Sequence, residues 1–311
     1  MNMIAGIICS VFFGIASFGY AKQYKMYQID YSPIAKYPKL FAELKDSRAK
    51  VVEGDATRKR FSRHVAILEE VLKKNPNWVD GLWLLGSETF QLGSSYTAEK
   101  DLPLARKIFK RGQQVTERCL RIQPSNPLCK LFLGSSLAKI GTIDGVFASL
   151  DKAERIEKLW LDVTKSPYNF KFTDYISMQG GARYALGIFY RLVPDYAVLD
   201  WLYGVRGDLE RSVLFHKRSL AIDDPNLPCS NLMLGAALVC YGDDEDSASA
   251  KKEGLTYLLR AARRTKIVYS VNSSTCRADS KKLLRDHDMT CGYSIAKQQE
   301  KISEDQLAQQ N

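Results

Sequence analysis

Apolar residues recur at intervals of three and four through Trp78, Leu82, Leu85 and Leu92, with Thr89 in the same stripe, the period of a helix with one buried face. A Leu-Gly pair stands inside that stretch and returns three more times in the same frame: Leu85-Gly86, Leu133-Gly134, Leu186-Gly187 and Leu234-Gly235. In three copies a second glycine follows seven residues later (Gly93, Gly141, Gly242), and a proline stands ten residues before the first glycine (Pro76, Pro124, Pro225). The copy at Gly187 is degenerate, with Pro194 at the closing position and Pro167 twenty residues upstream. A spacing held over such distances marks an internal repeat. A second amphipathic stretch follows each copy, as at 102–122, 147–163 and 209–222. The pattern predicts helices over 76–92, 98–123, 127–140, 147–165, 178–192, 208–223, 227–241 and 250–265 with no sheet. This is an all-α chain of antiparallel helix hairpins, forming a curved solenoid or a compact helical bundle.

Each punctuating residue has a physical reading. A proline costs nothing at the first helical position, where the missing N–H has no intrahelical partner. The closing glycines suit left-handed caps. The inner glycines Gly86, Gly134, Gly187 and Gly235 each cost about 1 kcal/mol against alanine in a helix interior, so a close helix crossing is expected to offset them.

The offsets of ten and seven resemble those of the tetratricopeptide repeat, over roughly residues 60 to 265. The period here, forty-eight, fifty-three and forty-eight residues between inner glycines, exceeds the 34 of that family. The surplus implies a longer second helix or an inserted turn such as 170–179. Within this group, Tyr184-Ala-Leu-Gly-Ile-Phe-Tyr-Arg-Leu-Val-Pro194 and Gly204-Val-Arg-Gly-Asp208 are similar to the periplasmic T components associated with TRAP-type solute transporters. That resemblance implies a helical bundle around a ligand-sized cavity.

The chain divides into residues 1–21, a repeat domain over 22–270, and a cysteine-containing cap with a polar tail over 271–311. No charge interrupts Met3 to Phe18, and Gly19-Tyr20-Ala21 suits signal peptidase cleavage after Ala21. Lys22 and Lys25 behind the apolar run leave retention as an N-terminal anchor as the alternative. Either way the domain is exported, periplasmic or extracellular, with membrane proximity in the anchored case. Gly6-Ile-Ile-Cys9 makes a poor lipobox. Removing residues 1–21 leaves six of seven cysteines, an even number that suits an oxidising compartment. Cys119 and Cys129 flank Pro124 symmetrically and are expected to bond across the hairpin. Cys229 and Cys240 are too far apart on one straight helix, about 16 Å, so Cys276 and Cys291 are their available partners.

The net charge of +10 concentrates at Arg58-Lys59-Arg60 with Arg63, and at Arg260, Arg263, Arg264 and Lys266. Without interleaved aromatics these read as solvated helix faces, and no nucleic-acid partner is expected. Three histidines, His64, His216 and His287, fall in no metal or nucleophile motif. Gly204-Val-Arg-Gly-Asp208 lacks phosphate-loop spacing, and Asp208 reads as the N-cap of the next helix. The chain is therefore expected to be non-catalytic, with no cofactor and no metal.

Aromatic density stands out between Trp160 and Tyr203, in the unit where the repeat pattern breaks. Trp160, Tyr184, Tyr190 and Trp201 are the candidate walls of a binding site, and Arg183 and Arg191 the candidate anchors for an anionic group. The expectation is an exported repeat protein that binds a small apolar or amphipathic ligand. The alternative is an interaction scaffold gripping a protein partner on its concave face, with homo-oligomerisation left open.

Overall fold

The computed structural model describes residues 23–52, 57–265, 267–295 and 297–299. The 1–21 segment with Cys9, Lys266 in the second basic cluster and the tail from 300 lie outside the described residues. Helices follow one another as α1 (Pro38–Val52), α2 (Arg58–Lys74), α3 (Val79–Ser94), α4 (Leu102–Ile122), α5 (Pro127–Asp144), α6 (Ala153–Lys165), α7 (Met178–Leu192), α8 (Ala197–Tyr203), α9 (Leu209–Leu220), α10 (Pro228–Asp244), α11 (Ala248–Ala262) and α12 (Ser273–Leu283). The four hairpins of the repeat are α3–α4, α5–α6, α7–α9 and α10–α11, and the first helices of neighbouring hairpins also touch, α3 to α5, α5 to α7 and α7 to α10. This is a helical-repeat solenoid with an inner layer of first helices. Among the described residues the only strands are two-residue pairings, β1 (Lys25–Met26) parallel to β2 (Tyr168–Asn169) and β3 (Tyr293–Ser294) antiparallel to β4 (Lys297–Gln298).

The inner glycines do what their cost requires. A Cβ on Gly86 would meet Thr116 of α4, on Gly134 Trp160 Nε1 of α6 at 2.7 Å, on Gly187 His216 of α9 at 2.6 Å, and on Gly235 Leu258 of α11 at 2.8 Å. In every hairpin the second helix is seated on the inner glycine of the first. Gly134→Leu is accordingly expected to lose more than about 2 kcal/mol, because the added side chain would push the Trp160 indole off its seat and break its bond to the Leu131 carbonyl. A melting temperature unchanged within error would contradict this packing.

Two details of the repeat differ from the sequence expectation. Pro76, Pro124 and Pro225 precede the helices. Trp78 N donates to the Asn75 carbonyl (3.1 Å), Asn126 N to Gln123 (3.1 Å) and Leu227 N to Asp224 (3.2 Å). Each proline is thus second in a four-residue turn, where its fixed φ is also pre-set. The glycines Gly93, Gly141 and Gly242 are not left-handed caps; among the described residues the positive-φ glycines are Gly145 and Gly204. They lie inside α3, α5 and α10 and admit the start of the following segment: a Cβ would stand 2.6 Å from Phe109, 2.9 Å from Ser149 Oγ and 2.7 Å from Lys251 Cγ respectively.

The surplus length of the repeat is spent in three places, the first being the 95–101 connection and the 21-residue α4. A loop from Ser166 to Ser177 separates α6 from α7, held by Gln179 Nε2, which donates to the carbonyls of Val163 (2.9 Å), Ser166 (3.3 Å) and Tyr168 (2.8 Å). The short α8 interrupts the third hairpin, after which Asp208 caps α9 by accepting from Arg211 N (2.8 Å).

Both ends of the chain are strapped to the repeats. At the N-terminal side Tyr27 Oη donates to Asp80 Oδ1 (2.6 Å), Asp30 N donates to Asp80 Oδ2 (2.7 Å), and Trp78 Nε1 donates to the Asp30 carbonyl (2.7 Å). At the C-terminal side Cys229 is bonded to Cys276 and Cys240 to Cys291, with Cα separations of 5.1 and 5.2 Å. Cys119 is bonded to Cys129, Cα to Cα 6.0 Å, across the α4–α5 turn. Three disulfides suit an oxidising compartment. No helix among the described residues is long and apolar enough to cross a membrane.

Candidate functional site

The inner faces of α3, α5, α7 and α10 enclose a cavity of about 340 Å³. Its wall is completed by α1, by the loop between α6 and α7, and by residues 269–272 and 294–295 of the C-terminal cap. Most of the wall is apolar, because α3 and α5 are buried on nearly every face and carry aliphatic and aromatic residues where a solvated helix would alternate. Phe132 meets Phe172 edge-on (5.4 Å between ring centroids), and Trp160 meets Phe189 likewise at 6.3 Å. All four rings line the cavity, Trp160 as the sequence anticipates.

The six residues singled out in the sequence are scattered. Trp160 and Tyr184 line the cavity. Trp160 Nε1 donates to the Leu131 carbonyl (3.2 Å), which fixes the ring plane. Tyr184 packs edge-on against His216, and burial raises its phenol above the ordinary range. The other four are elsewhere. Tyr190 is a core residue, 1% exposed, stacked on Phe215 at 5.6 Å with its hydroxyl on Glu157. Trp201, 82% exposed, stands on the outside of α8, whose seven residues bury Leu199 instead. Arg183 bonds its own helix, at the Gln179 carbonyl (2.8 Å) and Oε1 (2.7 Å), and reaches Tyr24 Oη at 3.2 Å. Arg191 is buried and donates to the carbonyls of Thr290 (2.7 Å), Cys291 (2.8 Å) and Tyr293 (2.7 Å), so its charge serves the cap.

The charged residues that face the cavity are Arg48, Glu88, Lys139 and Asp223, beside the uncharged polar Gln91, Asn272 and several serines and threonines. Asp223 Oδ1 is committed, accepting from Ser177 N (3.0 Å) and Ser177 Oγ (2.7 Å). Glu88 is 6% exposed, its Oε2 has no hydrogen-bond partner, and burial pushes its carboxyl from 4.5 up to about 7 against the pull of Arg48. Lys139 has no ion-pair partner among the described residues, and burial lowers its ammonium to about 8. Both interrupt otherwise uncharged runs, Leu82 to Leu92 and Leu131 to Ile140, and that isolation is the sequence signal that marks them.

A pH dependence follows from Glu88. Between about pH 4.5 and 7 the folded chain holds a proton on this carboxyl that the unfolded chain has released, so stability falls as pH rises through that window. Glu88→Gln lacks the effect. Relative to wild type, its stability in urea denaturation is expected to gain roughly 3 kcal/mol between pH 4.5 and 7.5. Parallel curves for the two proteins would contradict the dry surroundings assigned to Glu88.

No family model matches the chain, and no curated protein matches it in sequence. Among solved structures it is similar to the crystal structure of MamA protein at 15% identity and a TM-score of 0.41, over 74% of this chain and 99% of that one.

Proposed function

We propose that the chain is a non-catalytic helical-repeat binding protein that encloses a small, largely apolar or amphipathic ligand. One observation carries this reading: the concave side of the solenoid holds a half-open, mostly apolar cavity of about 340 Å³, walled by the inner helices, the α6–α7 loop and the C-terminal cap. Its volume lies in the range of small-molecule sites, and its few polar groups are confined to single positions on apolar helices. Export through the 1–21 segment and association with a transporter extend the reading. They rest on the apolar run, the even cysteine count and the similarity of 184–194 and 204–208 to TRAP-associated T components. On this reading 22–270 forms the binding body and 271–299 its clamp.

A protein partner is the second reading, and the exposed Trp201 and Val198 of α8 are among the apolar side chains available to it outside the cavity.

Filling the cavity separates binding from folding. Ala138→Phe and Ala185→Phe, made separately at two points of the wall, are each expected to weaken binding of an uncharged apolar fluorophore by about tenfold or more (about 1.4 kcal/mol). The melting temperature should hold or rise, as it does when a void is filled. Unchanged fluorophore binding in both variants would contradict the proposal.

A further inference from the structure

The charges facing the cavity do not cancel. Asp223 is bonded to Ser177, and Arg48 is a second cation on the wall, set against a Glu88 carboxyl that burial keeps protonated up to about pH 7. Lys130 on the same helix as Lys139 is paired, at 2.6 Å, with Asp162. Lys139 is left as an unpartnered ammonium on an apolar wall. Lys139 is part-buried, and an ammonium held against an apolar wall without a counter-charge is partly desolvated at a cost that an incoming anion offsets.

We propose that the cavity takes a single-chain amphiphile with a carboxylate head, the carboxylate resting on the Lys139 ammonium and the apolar body lying along Phe132, Phe172, Trp160 and Phe189. This inference rests on the reading of the cavity as a ligand site. A carboxylate brings the single negative charge that the Lys139 ammonium neutralises, and the phosphate probe below tests whether Arg48, the second cation on the wall, lets the site take another. The ammonium remains mostly charged at neutral pH, since burial lowers it only to about 8. The uncharged form of Glu88, favoured up to about pH 7, supplies a carboxyl next to the same space without opposing the ligand's charge. Above about pH 7 the Glu88 and Asp223 carboxyls, both raised to about that value by burial, ionise on the wall, and the Lys139 ammonium, lowered to about 8, begins to lose its proton, so carboxylate affinity falls as pH rises past about 7.

The test compares four probes of equal chain length by isothermal titration, below their micelle thresholds, on full-length protein freed of co-purified lipid: laurate, methyl laurate, dodecyl phosphate and dodecyltrimethylammonium. Laurate is expected to bind about tenfold or more tightly than the methyl ester, in line with a charge-assisted hydrogen bond. Lys139→Met is expected to abolish that preference while leaving methyl laurate affinity within about twofold and the melting temperature equal or higher, because it removes a part-buried uncompensated charge. Retained methyl laurate binding also shows the variant to be folded. Equal binding of laurate and its ester, or tightest binding of the ammonium or phosphate probe, overturns the carboxylate assignment and leaves the cavity reading intact. No binding of any probe to the wild-type protein overturns both.

Discussion

Arg191→Ala is expected to lower stability by about 5 kcal/mol, the largest effect of any single substitution considered for this chain. The guanidinium is 6% exposed and bonds three carbonyls, those of Thr290, Cys291 and Tyr293, which lie 99 to 102 residues away in sequence. Its removal strands three buried acceptors, each costing about 1–3 kcal/mol, and leaves a void beside Met233, whose Sδ lies 3.5 Å from Nη2. Burial alone already brings the guanidinium down to about 10, evidence of how little water reaches it. Arg191→Lys keeps the charge but not the planar fork, and one ammonium cannot reproduce the same bonds. It is expected to lose about half as much. Urea denaturation measures both. A loss under about 1 kcal/mol for the alanine variant would mean that the cap is not held through Arg191.

The second large effect is the loss of the Cys240–Cys291 bond. The two cysteines are 51 residues apart, and opening a loop of that length restores chain entropy to the unfolded state worth about 4 kcal/mol. The shorter Cys119–Cys129 loop, with a separation of 10, is worth about 3 kcal/mol by the same relation. A Cys240→Ala, Cys291→Ala double variant should therefore fall further than a Cys119→Ala, Cys129→Ala one in chemical denaturation. The reverse order would contradict the loop-length argument. Because Arg191 bonds the Cys291 carbonyl itself, loss of Arg191 and loss of the disulfide act on one segment. Their combined cost is expected to be less than their sum, since once either tie is cut the other holds a segment that is already freer.

The repeats were legible because their glycines are required by contact. A side chain on Gly134 or Gly235 would collide with the second helix, so the spacing of Leu-Gly pairs carries the hairpin geometry directly into the sequence. Eight of the helices accordingly lie where the pattern predicts them. Helices α1, α2, α8 and α12 fall outside the Leu-Gly frame and left no such mark. The two-residue pairings of β1 with β2 and β3 with β4 are likewise too short to imprint an alternation.

The site was less legible, for a different reason. An aromatic that lines a cavity and one that fills a core have the same composition and spacing. Trp160 and Tyr190 therefore looked alike in sequence, although one faces the cavity and the other stacks on Phe215. Arg191 reads as a ligand anchor until its three carbonyl partners are located, and those partners are invisible at short range. Glu88 and Lys139 escape a sequence reading because each stands alone among uncharged residues in a helix whose apolar positions identify it as core. A lone charge inside a buried helix carries more information about a site than the aromatic density that surrounds it.

The central claim is that the cavity is a place for a ligand. Native mass spectrometry of wild-type protein, purified from its own cells without detergent and compared with Ala185→Phe, tests it most directly. The expected result is one small-molecule adduct per chain in the wild type and its loss in the variant, with both chains folded. Bare chain mass in the wild type, or an adduct that survives the filled cavity at full occupancy, would contradict it.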